Sequence, residues 1–265
     1  MMLKNRVIPV LLLKNGLLVR SEGFDYHQYI GNPYHEVKRY NEWNIDELIY
    51  LDISDEGAKE SSGRSDNKIL EILEPLELLP IIAKNCFVPL TFGGKIRTIE
   101  DVRQRIKLGA DKVAINSKAI EDPSFVTEVA KIFGSQCIVV CIDVFKNDRG
   151  NYTVLSKGGT IDAKMDPVTW AKIMEEAGAG EILLQSVNND GRASGYDIGI
   201  TKDVVEAVSI PVIALGGAGE YSDFTTVLNE TNTSAVAAAN IFHFKELSDR
   251  HIKRELSKGG IMIRQ

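Results

Sequence analysis

Short apolar runs alternate with stretches of helical period along the whole chain. The runs at 6–12, 47–53, 87–92, 112–116, 137–143, 181–187, 210–215 and 234–239 are each bounded by turn residues or charge, which is the pattern of buried strands. The stretches between them have the amphipathic spacing of helices. Helix starts are signposted. Asn32-Pro33, Asp122-Pro123 and Asp166-Pro167 each set a capping side chain ahead of a proline at the first helical position. In "TIEDVRQRIKLG", Thr98 and Asp101 have the spacing of a reciprocal cap, and Gly109 supplies the stop. Eight strand–helix units in 265 residues predict an α/β fold, a (β/α)8 TIM barrel. A doubly wound open sheet is the alternative.

The chain also repeats itself. "VIPVLLLKNG" (7–16) aligns with "IVVCIDVFKN" (138–147), so that Leu12 falls opposite Asp143. "DELIYLDI" (46–53) matches "GEILLQSV" (180–187), and "VPLTFGGKI" (88–96) matches "IPVIALGGA" (210–218). The chain reads as a single barrel domain made of two half-barrel repeats, about 1–131 and 132–265. The first half carries about 12 more residues after its second strand, in an insertion at about 54–67 within "SDEGAKESSGRSDNK". A loop that follows a strand lies on the face where barrels do chemistry. The insertion is therefore a candidate lid or partner contact, or else a tolerated surface loop.

Each half places a glycine pair after its third strand, Gly93-Gly94 and Gly216-Gly217. The fourth strands end in Asn116-Ser117 and Ala239-Asn240. Glycines let backbone N–H groups approach an anion, and a helix start adds a favourable dipole. Two such turns related by the repeat predict two anion sites on one mouth, suited to a ligand with a phosphate at each end. The plainer reading is that the glycines only permit tight turns. Asp143 ends an apolar strand at the mouth, where burial raises a carboxyl group toward a useful pKa. Its plain alternative is a cap. Asp52, Asp190 and Asp25 are placed to assist it, or to hold loops.

Composition narrows the classes. The net charge of -6 disfavours nucleic acid, whose phosphates call for a basic surface. No apolar run approaches the ~20 residues of a membrane span. Val7–Leu13 is too short for one and lacks a signal-peptide cleavage site. A cytoplasmic protein is expected. Cys86, Cys137 and Cys141 lie in or beside strand-like runs, as buried reduced thiols would. His27, His35, His243 and His251 show no ligand spacing, so no metal or nucleotide cofactor is implied. His243 in "IFHF" reads as a packed histidine.

The half-barrel repeat, with "FGSQCIVVCID", "GAGEILL", "DGRASGYD", "PVIALGGAG" and "IFHF", resembles the cyclase subunit family of imidazole glycerol phosphate synthase. The resemblance covers nearly the whole chain apart from the insertion. It implies a subunit that takes ammonia from a glutaminase partner. That ammonia cleaves and cyclises a bisphosphorylated ribonucleotide, with two aspartates at the ends of strands one and five as acid and base. It also implies that Arg6, Glu47, Lys112 and Glu181, each opening a strand, form the ammonia gate, and that Asp111 contacts the glutaminase. By default such a ring of charge at the bottom of a barrel is only stabilising.

The second aspartate is kept as Asp143, and the first is replaced by Leu12, which cannot transfer a proton. Other departures lie at the same mouth. Lys95 stands where the family has a third glycine, Leu215 where it has a serine, and Arg20 where it has a lysine. Asn240 replaces a small hydroxyl residue, and "LQSVNNDGR" places Gln185, Ser186, Asn188, Asn189, Gly191 and Arg192 near the ligand. Three functions follow. The first is an ammonia-accepting subunit repurposed for amidino-sugar biosynthesis in surface glycans. It acts on the sugar itself, or conducts ammonia to a third, sugar-modifying enzyme. The second is an authentic imidazole glycerol phosphate synthase subunit in histidine biosynthesis. The third is another phosphosugar barrel, such as an isomerase, with no glutaminase.

Overall fold

The computed structural model describes residues 4–43, 45–54, 74–244 and 248–264. Except for Ser54, the insertion at about 54–67 lies outside the described residues. Eight parallel strands close into a barrel: β1 (Arg6–Lys14), β4 (Leu48–Asp52), β5 (Leu90–Gly93), β6 (Lys112–Ile115), β7 (Ile138–Lys146), β10 (Glu181–Ser186), β11 (Val212–Leu215) and β12 (Ala235–Ala238). The ring shuts where β10 runs beside β7, from Glu181 opposite Val139 to Ser186 opposite Val144. All eight expected strands are present, within a few residues of their expected ends. They are nearly continuous apolar runs because both faces are buried, one against the barrel axis and one against helices. In β1 every residue from Arg6 to Leu13 is buried.

The helices form the outer layer: α1 (Pro33–Glu42), α2 (Pro75–Asn85), α3 (Ile99–Lys107), α4 (Ser117–Glu121), α5 (Ser124–Phe133), α6 (Pro167–Glu176), α7 (Ile198–Ala207), α8 (Tyr221–Thr231), α9 (Asn240–Phe244) and α10 (Ser248–Lys258). The caps at Thr98 and Asp166 form as expected. Asp101 N–H donates to Thr98 Oγ1 at 3.2 Å, Thr98 N–H to Asp101 Oδ2 at 2.8 Å, and Thr169 N–H to Asp166 Oδ2 at 2.8 Å. Asp122-Pro123 does not start a helix at Pro123. Asp122 accepts from Ser124 Oγ and Lys118 Nζ, and α5 begins one residue later. Among the cysteines, all free, only Cys141 is buried. Cys86 and Cys137 are half-buried: Cys86 caps the C-terminus of α2, and Cys137 ends the short turn before β7, so neither lies in a barrel strand.

Two hairpins were not foreseen. Strands β2 (Leu17–Glu22) and β3 (Tyr26–Gly31) follow β1, and β8 (Tyr152–Ser156) and β9 (Ile161–Asp162) follow β7. Each half thus extends its first barrel strand into an antiparallel ribbon over the mouth. Asn15 and Gly16 turn the first ribbon at φ of 52° and 77°, the left-handed pair that a two-residue hairpin loop needs. The ribbons meet: a Cβ added at Gly159 would lie 3.0 Å from the Phe24 ring.

At the other end, Lys253 of α10 reaches the buried Asp46 at 2.9 Å, and the same carboxylate accepts Val7 N–H at 2.8 Å. This joins the final helix to the first strand. Removing one partner of a buried pair strands the other charge. Lys253→Met is expected to lower stability by about 3 kcal/mol, read as a fall in the urea midpoint; an unchanged midpoint would mean that α10 docks without this pair.

Candidate active site at the barrel mouth and the charged ring beneath it

At the strand N-termini, four side chains close a ring across the axis. Arg6 bonds Glu47 at 2.7 Å and also bonds Glu181, while Lys112 bonds Glu47 at 3.0 Å and Glu181 at 2.9 Å. Charges alternate around the ring, so every cation meets two carboxylates. Burial favours the neutral form of Arg6, but Glu181 and Glu47 outweigh it and hold its pKa above the usual value. Burial likewise opposes ionisation of Glu47, and Arg6 and Lys112 overcome it, so its pKa lies below the usual carboxylate range. Exposed Asp111, beside Lys112, accepts Leu90 N–H at 2.8 Å and so also ties β6 to the start of β5.

Above the ring the axis is apolar. Ile8, Val10, Ile49, Val139, Leu183 and Ile213 pack in one inner cluster. Leu12 and Leu215 belong to the same cluster and carry it up to the mouth. Asp143 shares a strand face with Val139 and Cys141, four and two residues before it. It is 8% exposed and accepts Asn116 Nδ2–H at 3.1 Å. Burial, then the charge of Asp190, pushes its carboxyl pKa up to about 7. Asp190 is raised by its own burial. Hydrogen bonds from Ser21 Oγ (2.7 Å) and Phe24 N–H (3.4 Å) work against that rise. Asp190 therefore anchors the first ribbon as well as perturbing Asp143.

A cavity of about 260 Å³ opens at the mouth. Leu12, Arg20, Gln185, Asp190, Gly191, Leu215, Gly216, Gly217, Ala239 and Asn240 line it. These candidates come together, Leu12 and Arg20 from the first half and the others from the second. The first half's Lys95, Asp52 and Ser117 stand apart. Lys95 pairs with Asp52 at 3.8 Å, and Asp52 also accepts from Ser54. Ser117 Oγ accepts Lys157 N–H of the second ribbon at 3.0 Å. Ser186 lies buried beneath the second glycine turn, where its carbonyl would meet a Cβ on Gly216 at 2.7 Å.

Backbone packing alone requires glycine in both pairs. A Cβ on Gly94 would lie 2.1 Å from Asp52 O, and one on Gly217 2.0 Å from Gly195 O. Gly93 is closely packed too, against Ala114 and Leu51. Asn188 and Asn189 hold backbone rather than facing the cavity: Asn188 brackets Lys146, and Asn189 bonds Gly195 O. His243 is a packed residue, its pKa driven down to about 4 by burial and by Arg39. Sequence reasoning missed the ribbon residues Ser21, Phe24 and Lys157. The Asn15-Gly16 dipeptide was the available signal for the first ribbon.

Asp143 has a consequence for stability. In the folded chain it keeps a proton that the unfolded chain loses near pH 4. Its contribution therefore falls as pH rises from about 4 to about 7 and is level above that. Carbon-13 NMR of the side-chain carboxyl should show a midpoint near 7, and Asp143→Asn should flatten the decline in urea stability over the same window. A midpoint near 4 would contradict this account.

The chain matches known proteins along its whole length. The family model described as histidine biosynthesis protein matches residues 6–248. The imidazole glycerol phosphate synthase subunit HisF of Alkaliphilus metalliredigens is 40% identical over 264 residues, all of both chains. That of Campylobacter concisus is 42% identical over 259 residues, 98% of this chain and 97% of its own. That of Bacillus cereus is 40% identical, across 99% of this chain and all of its own. With the closed barrel, these matches place the chain in the histidine biosynthesis protein family, as a HisF-like barrel.

Proposed function

We propose that this barrel is the ammonia-using, cyclase-type enzyme subunit of a glutamine-dependent synthase, with a glutaminase seated on its bottom face beside Asp111. One observation carries the reading: a closed ring of Arg6, Glu47, Lys112 and Glu181 lies across an apolar axis, and at the mouth above it burial holds the Asp143 carboxyl pKa up at about 7. The ring admits small polar molecules only by parting its ion pairs. The apolar interior favours neutral ammonia over ammonium, because burying an unpaired charge is costly. At the mouth Asp143, with a pKa of about 7, can take a proton from the incoming nitrogen and return it.

The similarity along the whole chain favours the family's own acceptor, the bisphosphorylated formimino ribonucleotide, and with it histidine biosynthesis. A specific observation favours a second reading. Leu12 is 6% exposed, lines the cavity and offers no proton. In that reading nitrogen goes to a different acceptor, as in amidino-sugar biosynthesis, or passes to a third enzyme. Asp52 does not replace the missing acid, since Ser54 and Lys95 already engage its carboxylate.

The two acceptors separate in one assay. The purified chain is given ammonium salt and the formimino ribonucleotide. Turnover at an ordinary enzymatic rate supports histidine biosynthesis. A rate lower by about 10²–10⁴, the usual worth of one positioned acid or base, supports the changed acceptor. In either case Asp143→Asn is expected to lower ammonia-dependent turnover by about 10²–10⁴. Full activity of that variant would remove Asp143 from the chemistry.

The ring makes its own prediction. With the glutaminase bound, Glu47→Gln should lower glutamine-dependent turnover while turnover on added ammonium salt is kept. Equal losses of both rates, in a variant with normal stability, would leave the ring a structural feature only.

A further inference from the structure

The first ribbon brings a histidine to the mouth that the chemistry at Asp143 leaves unused. Strand β2 is pressed against the loop after β10. Gly23 N–H donates to Asp190 O at 3.0 Å, and a Cβ on Gly191 would lie 2.2 Å from Ser21 O. Ser21 Oγ donates to Asp190 Oδ2 at 2.7 Å, so the ribbon face that holds Ser21 is the face toward Asp190. In the ribbon ladder Ser21 stands directly opposite His27 of β3. Directly opposed residues share a face, with Cβ atoms roughly 4.5–5.5 Å apart. His27 is therefore set beside the same carboxylate, and its charge acts on Asp190. It is half-buried and so stays open to solvent.

Asp190 also borders the mouth cavity, beside Gln185. Gln185 hydrogen-bonds Asp190 and is paired with Asp143 in the ladder between β10 and β7. The order from solvent to the barrel interior is thus His27, Asp190, Gln185, Asp143. Burial is the largest influence on the Asp190 carboxyl and raises it, while Ser21, Phe24, His27 and Gln185 pull the other way. The other charged groups of this region are engaged elsewhere or exposed. Arg20 bonds Gln28 Oε1 at 2.7 Å and lies over the Tyr26 ring. Glu22, Asp25 and Arg192 are exposed.

We infer that His27 and Asp190 form a second proton-transfer pair at the mouth, in which Asp190 faces the acceptor and His27, a positioning residue, exchanges protons with solvent behind it. The pair supplies the acid that Leu12 cannot. The Asp190 carboxyl gives its proton to the leaving atom of the acceptor. The His27 imidazolium then returns a proton to Asp190, and the imidazole recovers its own from bulk water, so the pair ends as it began. Asp143 takes a proton from the incoming nitrogen in the same turnover. This rests on the mouth being the acceptor site of the proposed synthase.

Two measurements on the full-length chain test it. Carbon-13 NMR of the carboxyl groups needs neither acceptor nor ammonia. His27→Gln is expected to raise the Asp190 midpoint by about half a unit, and His27→Arg, which keeps a positive charge, to leave it below that of His27→Gln. Turnover of the formimino ribonucleotide with ammonium salt then separates charge from proton exchange. His27→Gln and His27→Arg should both lose about tenfold or more in rate, and added imidazole should restore His27→Gly. A ribbon that has only lost packing would show no such rescue. Circular dichroism checks that each variant is folded. The inference is overturned if the Asp190 midpoint does not move in His27→Gln, if His27→Arg keeps the wild-type rate, or if imidazole does not restore His27→Gly. A wild-type chain that leaves the nucleotide untouched counts against that acceptor instead, and the Asp190 midpoint then decides by itself whether the pair stands.

Discussion

The ladder between β7 and β10 closes the sheet, and the rest of the molecule follows from that closure. Eight parallel strands without a free edge have one face toward helices and one toward each other. Every side chain on the inner face must then be apolar, paired, or neutral. Polar chemistry is pushed to the two ends of the axis, where strands begin and where they stop.

The two ends solve the same burial problem differently. At the bottom, four charges share one ring, and each carboxylate is met by both cations. Pairing restores most of what desolvation takes away, so the groups stay ionised. At the top, Asp143 has an amide donor in Asn116 and a like charge nearby in Asp190, with leucines on the cavity floor. Nothing there stabilises the anion as the ring does for Glu47, and the group holds its proton to about pH 7 instead. A stable charged ring and a titrating carboxyl are thus two outcomes of one physical constraint.

How much of this could be read from the chain depended on burial. The barrel strands were legible because a segment buried on both faces is apolar throughout, as in "IVVCIDV". The ring was legible because a charge opening such a strand, as at Arg6 or Lys112, has few other places to lie. The ribbons were not legible. Strand β3, "YHQYIG", is mostly exposed and carries no buried pattern to recognise. Polar residues in the loop after β10 were over-read for a related reason. Asn188 and Asn189 are the residue type that either binds a ligand or holds backbone, and only coordinates distinguish the two. The glycine pairs carry the same ambiguity, since Gly94 and Gly217 are demanded by backbone oxygens whether or not an anion is near.

A leucine at position 12 also has an energetic logic. Leu12 and Asp143 hold corresponding places in the two halves, each on the inward face at the top of its half's first strand. A carboxyl at both positions would set two like charges in one low-dielectric mouth, where one of them is driven toward the neutral form. A leucine removes that repulsion and adds apolar area to the inner cluster. Leucine at this position offers no group for proton transfer. Asn116, at the end of the first half's last strand, donates to the carboxyl that the second half carries, so the surroundings of Asp143 are built from both halves of the chain.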